Sequence, residues 1–139
     1  MNWTLEVVRV PVRDVDRAKA FYADQLGFTV DLDMTMGPEG RIVQLTPPGS
    51  GCSIQIGRGA LPDMPPGSLK SLQLVVRDIR AAHAELTGRG VAISGIQVFG
   101  QEGGQRPYRD GDDLDNAGFF FFDDPDGNGW AVQQISSRS

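Results

Sequence analysis

Few side chains in this sequence could carry covalent or acid–base chemistry. The chain has one histidine and one cysteine, His83 and Cys52. His83 falls in a predicted helix, where a packing or surface role is expected. Cys52 falls in a strand-like run, where a free cysteine usually acts as a small apolar residue. A serine or cysteine nucleophile needs a histidine base within hydrogen-bonding reach, and a histidine on a helix does not provide one in strand register.

Carboxylates cluster at two places in the sequence. Asp112 and Asp113 lie in an acidic stretch without the apolar surroundings that a general acid needs. The phrase Asp124-Pro-Asp-Gly-Asn-Gly has the composition of a tight turn and predicts a hairpin. Neither cluster has the spacing of an EF-hand loop. We therefore predict no catalytic carboxylate pair, and the sequence assigns no catalytic residue.

Size and charge exclude several classes of partner. The 139 residues include 13 basic and 18 acidic side chains, which give a net charge of −5. An acidic balance disfavours binding to the phosphate backbone of nucleic acids. No apolar run approaches the roughly 18 residues that cross a bilayer, and the first residues do not combine a basic segment with an apolar core. We expect a globular cytoplasmic protein that binds neither nucleic acid nor membrane.

A short phrase occurs twice and sets the organisation of the chain. Val10-Pro-Val-Arg-Asp-Val and Leu74-Val-Val-Arg-Asp-Ile each lead into an alanine-containing helical stretch. Two copies of a module this long fill the chain, so the repeat is a duplicated supersecondary unit rather than a solenoid.

The two copies predict the same order of elements. Alternating apolar residues predict strands, and Asp14 followed by helical spacing predicts a helix that ends at Gly27. The first module has a strand at 5–12, a helix at 15–26 and strands at 28–34, 41–46 and 52–57. The second has a strand at 69–76, a helix at 79–87 and strands at 91–99, 118–123 and 130–135. The prediction is an α+β fold with two tandem βαβββ modules, 1–59 and 69–139, a proline-rich linker at 60–68 and a mobile loop of unassigned role at 100–117.

Two motifs resemble those of the vicinal oxygen chelate superfamily, which includes glyoxalase I, extradiol dioxygenases and bleomycin-resistance proteins. They are Val12-Arg-Asp-Val-Asp-Arg-Ala-Lys-Ala-Phe-Tyr followed by Leu26-Gly-Phe, and Phe122-Asp-Asp-Pro-Asp-Gly-Asn-Gly-Trp. The resemblance implies that the modules form curved mixed sheets around a cleft. It also implies a homodimer, and the sequence leaves open whether modules pair within one chain or across two.

The resemblance also implies where a metal ion would bind in metal-dependent members. The four ligand positions correspond here to Val7, Gln55, Ser71 and Ala131. Only Gln55 keeps a coordinating oxygen of the usual type, whereas open zinc or iron sites need about three strong ligands. We therefore predict that the metal site is lost and that the protein has no cofactor.

Strand alternation then predicts which residues face the cleft, because side chains of one parity point the same way. The resulting ligand-binding candidates are Val7, Arg9, Ser53, Gln55, Ser71, Gln73, Phe119, Phe121, Ala131 and Gln133. Glutamines, an arginine and two aromatic rings would suit a planar, partly polar small molecule. The alternative remains that the polar face simply meets water and that the phenylalanines fill the core.

Three functions are compatible with this pattern. The leading hypothesis is a metal-free small-molecule binding protein of the glyoxalase/bleomycin-resistance type, which sequesters an aromatic or cationic ligand. The first alternative is a glyoxalase-like or dioxygenase-like enzyme, a lyase or oxidoreductase, with an atypical metal site or none. The second is a sensor or interaction module with a vestigial cavity. The sequence does not identify the ligand.

Overall fold

The computed structural model describes residues 1–59, 64–100 and 103–138. The chain divides into two compact units. Unit 1 contains Met1–Leu69 together with the turn Asp124–Asn128, and unit 2 contains Lys70–Asp123 and the chain from Gly129 onward. Of the predicted linker 60–68, residues 60–63 lie outside the described residues. Its remainder is held in unit 1, where the Gly67 amide donates to the Pro11 carbonyl at 3.1 Å.

Unit 1 contains the predicted order βαβββ. Its elements are β1 Val7–Arg9, α1 Val15–Ala20, which continues as a π-helical turn Phe21–Gln25, β2 Thr29–Met36, β3 Gly40–Thr46 and β4 Ser53–Arg58. The sheet order is β1-β4-β3-β2, with β1 parallel to β4 and the other pairs antiparallel. The first strand is shorter than the predicted 5–12, but Val10 still donates its amide to the Gln55 carbonyl at 2.9 Å.

The repeated Arg-Asp phrase explains where both helices begin. Asp14 accepts a hydrogen bond from the Arg17 amide at 3.1 Å, and Asp78 accepts one from the Ala81 amide at the same distance. Both aspartates are therefore N-caps, which satisfy amide groups that have no partner within the helix. The first helix ends before Gly27, whose φ of 78° is the left-handed conformation that glycine adopts most easily.

Unit 2 has one strand more than its predicted four. Its elements are β5 Leu72–Val76, α2 Ile79–Gly88, β6 Gln97–Phe99, β7 Gln105–Pro107, β8 Gly118–Asp123 and β9 Gly129–Gln134. The sheet order is β5-β9-β8-β6-β7, with β5 parallel to β9. The two units thus form two mixed sheets of the predicted α+β class.

The segment predicted as a mobile loop supplies the additional strand. β7 pairs antiparallel with β6, and Arg106 binds Asp112 through two nitrogens at 2.7 and 2.8 Å. Leu114 is buried in the same segment. Residues 101–102 of the predicted loop lie outside the described residues. The prediction of a loop was wrong for 105–107, because pairing with β6 and an ion pair order a stretch whose composition is typical of turns.

The predicted strand at 91–99 is also interrupted. Only Ile93 forms an isolated bridge, to Phe122, before β6 begins at Gln97. Between them, the Ser94 hydroxyl oxygen accepts the Phe121 amide at 2.9 Å, so a side chain replaces part of the backbone ladder. Among the described residues, no helix is long and apolar enough to cross a membrane.

Candidate functional site

Each sheet has one face covered by its own helix. In unit 1, Lys19 on α1 binds Asp33 on β2 at 2.8 Å, and Arg41 on β3 binds Asp16 on α1 at 2.6 Å. In unit 2, the His83 ring on α2 lies edge-on to Phe120 on β8, with 5.3 Å between centroids. We call the opposite face of each sheet its open face.

The predicted residues of unit 1 lie together on its open face. Val7 pairs with Ser53 and Arg9 pairs with Gln55 in the parallel register of β1 and β4. Neighbouring paired residues point to the same side of a sheet. The Arg9 side chain is half-buried and makes no hydrogen bond or ion pair with any described residue. Gln44 on β3, which the sequence analysis missed, pairs with Gln55 and accepts its amide nitrogen at 2.9 Å.

Two hydrogen-bonded groups follow each other along this face. The Thr46 hydroxyl contacts both Asp31 and Ser53, the latter with 2.6 Å between the two hydroxyl oxygens. The Gln55 side-chain oxygen is buried and has no hydrogen-bond partner among the described residues. A buried acceptor without a donor costs about 1–3 kcal/mol. The face therefore carries polar groups whose bonding is incomplete.

An apolar strip on β2 borders these polar groups. Leu32 pairs with Gln44 and Met34 pairs with Ile42, so both lie on the open face. Leu32, Met34 and Met36 are 38%, 49% and 43% exposed. Large apolar side chains that remain this exposed in a contiguous row are typical of binding surfaces. The sequence analysis missed all three, because the positions of these residues in the sequence do not reveal the β-bulge after Val30 that turns their side chains to the open face.

The predicted residues of unit 2 also share an open face. Gln73 pairs with Ala131, Ala131 with Phe121, and Gln133 with Phe119. Ser71 lies just before β5 and lines, with Gln73, Phe121 and Ala131, a pocket of about 380 Å³.

Three phenylalanine rings form a cluster on this face. The rings of Phe119 and Phe121 are parallel within 9° and 6.4 Å apart, and Phe99 lies against both at 4.9 and 6.5 Å. Phe99 and Phe121 remain 39% and 37% exposed. Phe99 was missed in the sequence, since only pairing between β6 and β8 places it beside Phe119. The cluster offers flat apolar surface, not a closed core.

Glutamine side chains border the phenylalanine cluster. Gln73 donates its amide nitrogen to the Gln133 oxygen at 2.7 Å, and Gln133 donates in turn to the Asn116 carbonyl at 2.9 Å. Each bond fixes the orientation of the next amide, so the polar groups beside the rings are held in place. This arrangement of apolar surface with few oriented polar groups is the usual composition of a small-molecule site.

The chain is similar to known proteins over most of its length. The profile of the Glyoxalase/Bleomycin resistance protein/Dioxygenase superfamily matches residues 4–132. The chain belongs to this superfamily. A search of curated proteins found no match.

Three solved structures of the superfamily resemble this chain over nearly its whole length. TnmS3, an antibiotic binding protein from Streptomyces sp. CB03234, is 32% identical, with a TM-score of 0.73 over 97% of this chain and 98% of its own. A glyoxalase/bleomycin resistance protein from the same organism is 33% identical, with a TM-score of 0.70 over 94% of this chain and 100% of its own. A superfamily member from Sphaerobacter thermophilus DSM 20745 is 26% identical, with a TM-score of 0.73 over 96% of this chain and 98% of its own.

The residues at the superfamily's metal-ligand positions do not fit a metal ion. Val7 and Ala131 carry no donor atom, and Ser71 offers a neutral hydroxyl. Gln55 uses its amide nitrogen on Gln44 and keeps one neutral oxygen. Divalent ions at open sites take about three strong ligands, chiefly imidazoles and carboxylates. Among residues 1–59, 64–100 and 103–138, no three histidine, cysteine, aspartate or glutamate side chains gather as a metal site.

The remaining candidate groups have structural partners. The His83 Nε2 lies 3.0 Å from the Ser94 carbonyl, in keeping with a helix-packing role. Cys52 is half-buried and is a free cysteine that forms no disulfide bond with any described residue. Asp124 accepts the Tyr22 hydroxyl at 2.7 Å within the predicted hairpin turn. Asp112 is held by Arg106 and the Arg109 amide, which together keep the pKa of its carboxyl well below the ordinary value. A strongly ionised carboxylate is a poor general acid.

Proposed function

We propose that this protein binds a planar, partly polar small molecule on its open sheet faces and acts by sequestering it without a metal ion. The observation that carries the proposal is the phenylalanine cluster of unit 2, Phe99, Phe119 and Phe121. Two of its rings stay more than a third exposed beside glutamines whose orientation is fixed. A ligand ring stacked there would gain roughly 0.5–1.5 kcal/mol per aromatic pair beyond the area that it buries.

The open face of unit 1 supports the same type of ligand. Its apolar strip of Leu32, Met34 and Met36 offers adaptable contact area, since the methionine side chain fits irregular shapes. Arg9 supplies donors without a partner among the described residues, and these would suit a carbonyl, phenolate or carboxylate on the ligand. The sequence left open an aromatic or a cationic ligand, and the arginine favours the aromatic one.

The superfamily relationship agrees with a binding role. TnmS3, one of the most similar solved structures, is described as an antibiotic binding protein. Among the described residues, the open faces contain no histidine to act as a base for a serine or cysteine nucleophile. A binding protein needs neither. We also expect a homodimer in the cytoplasm that does not bind nucleic acid, as the sequence predicted; light scattering after size-exclusion chromatography measures the oligomeric state.

Trp130 offers a nearby reporter of ligand binding. It is 4% exposed and precedes the open-face residue Ala131 on β9 at the 380 Å³ pocket, whereas the other tryptophan, Trp3, is 86% exposed. In a Trp3→Phe background, fluorescence would report on Trp130 alone while planar antibiotics and metabolites are titrated. Phe121→Ala should weaken binding about three- to tenfold, because it removes one aromatic contact. Thr87→Ala, at an exposed position on α2, the helix that covers the other face of this sheet, is the control.

Two results would contradict the proposal. The first is a panel of planar compounds in which none binds, or in which Phe121→Ala binds as tightly as its parent. The second is stoichiometric zinc, nickel, iron or manganese in protein purified without chelators. That metal content would favour the glyoxalase-like or dioxygenase-like alternative.

A further inference from the structure

We infer that the open face of unit 1 recognises a hydrogen-bond donor on the ligand, a hydroxyl or amine group, through the oxygen of Ser53. This inference rests on the proposed function and adds the chemistry of one edge of the ligand. It starts from a row of three side chains, Asp31, Thr46 and Ser53, that are joined by hydrogen bonds on that face.

The direction of these bonds follows from the number of protons available. An ionised carboxylate only accepts hydrogen bonds, so the bond between Asp31 and Thr46 must use the Thr46 proton. A threonine hydroxyl has a single proton. The contact of 2.6 Å between Thr46 and Ser53 must therefore use the Ser53 proton.

Ser53 is left with lone pairs and no proton to offer. A ligand group that approaches its oxygen must therefore donate, and a group that can only accept would meet two oxygens with no proton between them. Ser53 is 7% exposed, so water competes poorly for this position and a mismatch would be left unsatisfied. The carboxylate at the far end polarises the row and strengthens the acceptor.

The next residue of the same parity supports this polarity. The side-chain amide of Gln55 donates a hydrogen bond to Gln44, and its buried side-chain oxygen has no donor among the described residues. Ser53 and Gln55 are two positions apart on β4, so their side chains lie on the same side of the sheet, and each carries an acceptor oxygen there. The matching ligand is a planar compound with a free hydroxyl or amine at this edge, and its O-methylated counterpart should be rejected.

A pair of probes that differ in one proton tests the inference. Naphthol can donate a hydrogen bond, and its methyl ether, methoxynaphthalene, cannot. Ligand-observed NMR titrations against the full chain give the ratio of their dissociation constants. We expect the wild-type protein to prefer naphthol about three- to tenfold, the effect of one neutral hydrogen bond.

Thr46→Val tests the polarity itself, because it leaves Ser53 in place and frees its proton. The preference should fall below about twofold, since Ser53 could then donate to the ether oxygen. Asp31→Asn should act in the same direction, because an amide can offer Thr46 either a donor or an acceptor. Asp24→Asn, an exposed aspartate on the π-helical turn, is the matched control and should keep the wild-type ratio.

The outcomes separate the two proposals. If both probes bind and the ratio is the same in wild type, Thr46→Val and Asp31→Asn, the role of Ser53 is refuted and the binding function stands. If neither probe binds to the wild-type protein, both proposals fail for aromatic ligands. Circular dichroism of each variant shows that it is folded, and Ser53→Ala gives a second measurement of the ratio should Thr46→Val unfold.

Discussion

The hydrogen bond between Tyr22 and Asp124 gives the sharpest prediction of stability. Tyr22 is fully buried and donates its hydroxyl to Asp124 Oδ2 at 2.7 Å. Asp124 is 4% exposed and accepts three further bonds, from the amides of Asp126 and Asn128 and from the Asn128 side chain, at 2.8–2.9 Å. All of these residues belong to unit 1.

The substitution Tyr22→Phe removes one bond and little else. The ring stays, so no large cavity is created, and the edge-on contact with the Phe21 ring at 5.2 Å is kept. A hydrogen bond to a charged group contributes about 1.5–3 kcal/mol, and among the described residues the Asn128 side chain is the one other donor to that carboxylate oxygen. We expect the free energy of unfolding to fall by about 2 kcal/mol. The melting temperature should fall by about 5–8 °C for a chain of this size.

Urea unfolding followed by far-UV circular dichroism measures the change. The urea concentration at the midpoint should fall, while the slope of the free energy of unfolding against urea concentration stays constant, because the surface exposed on unfolding is unchanged. The other tyrosine, Tyr108, makes no hydroxyl bond among the described contacts and supplies a matched control. Tyr108→Phe should change stability by less than about 0.5 kcal/mol. Equal losses in the two variants, or none in Tyr22→Phe, would refute the reasoning.

Two further predictions concern the sheet of unit 1. Hydrogen bonds from Arg41 and Lys19 hold the pKa of Asp33 well below its ordinary value. The contribution of the Asp33 carboxylate to stability is therefore full above about pH 5 and declines as the pH falls below about 4. In Asp33→Asn, the melting temperature should therefore fall less on acidification than in the wild-type protein. A methyl group on Gly57 would collide with the Arg41 carbonyl oxygen, so Gly57→Ala should cost about 1–3 kcal/mol in urea unfolding. Gly88→Ala, where nothing lies within 4 Å, should be neutral or stabilising by up to about 1 kcal/mol.

Much of the fold could be predicted because duplicated local signals agree with the global pattern. Asp14 and Asp78 fix the start of each helix within one residue, and the four phenylalanines of β8 give the strand its predicted bounds at 118–123. What could not be predicted depends on contacts between distant residues. The three residues of β7 show no alternation of their own, and only their register with β6 makes them a strand.

Strand parity gave part of each open face and could not give the rest. It identifies which side chains of one strand point together, but the partners on neighbouring strands depend on register. Gln44 and Phe99 were missed for this reason, since pairing with Gln55 and with β8 places them there. The pattern of residues in one strand therefore predicts what kind of side chain lies at a site more readily than which residues of the neighbouring strands complete that site.

A single extra residue on β2 decides the character of the unit 1 face. Val30 pairs with Leu45 and Leu32 pairs with Gln44, so Asp31 is the extra residue of a β-bulge. Without the bulge, Leu32 and Met34 would point toward α1, because a shift of one residue turns every side chain over. With it, these apolar side chains reach the open face, where Asp31 contacts Thr46. The irregularity thus places the apolar strip beside the carboxylate that would set the polarity of Ser53.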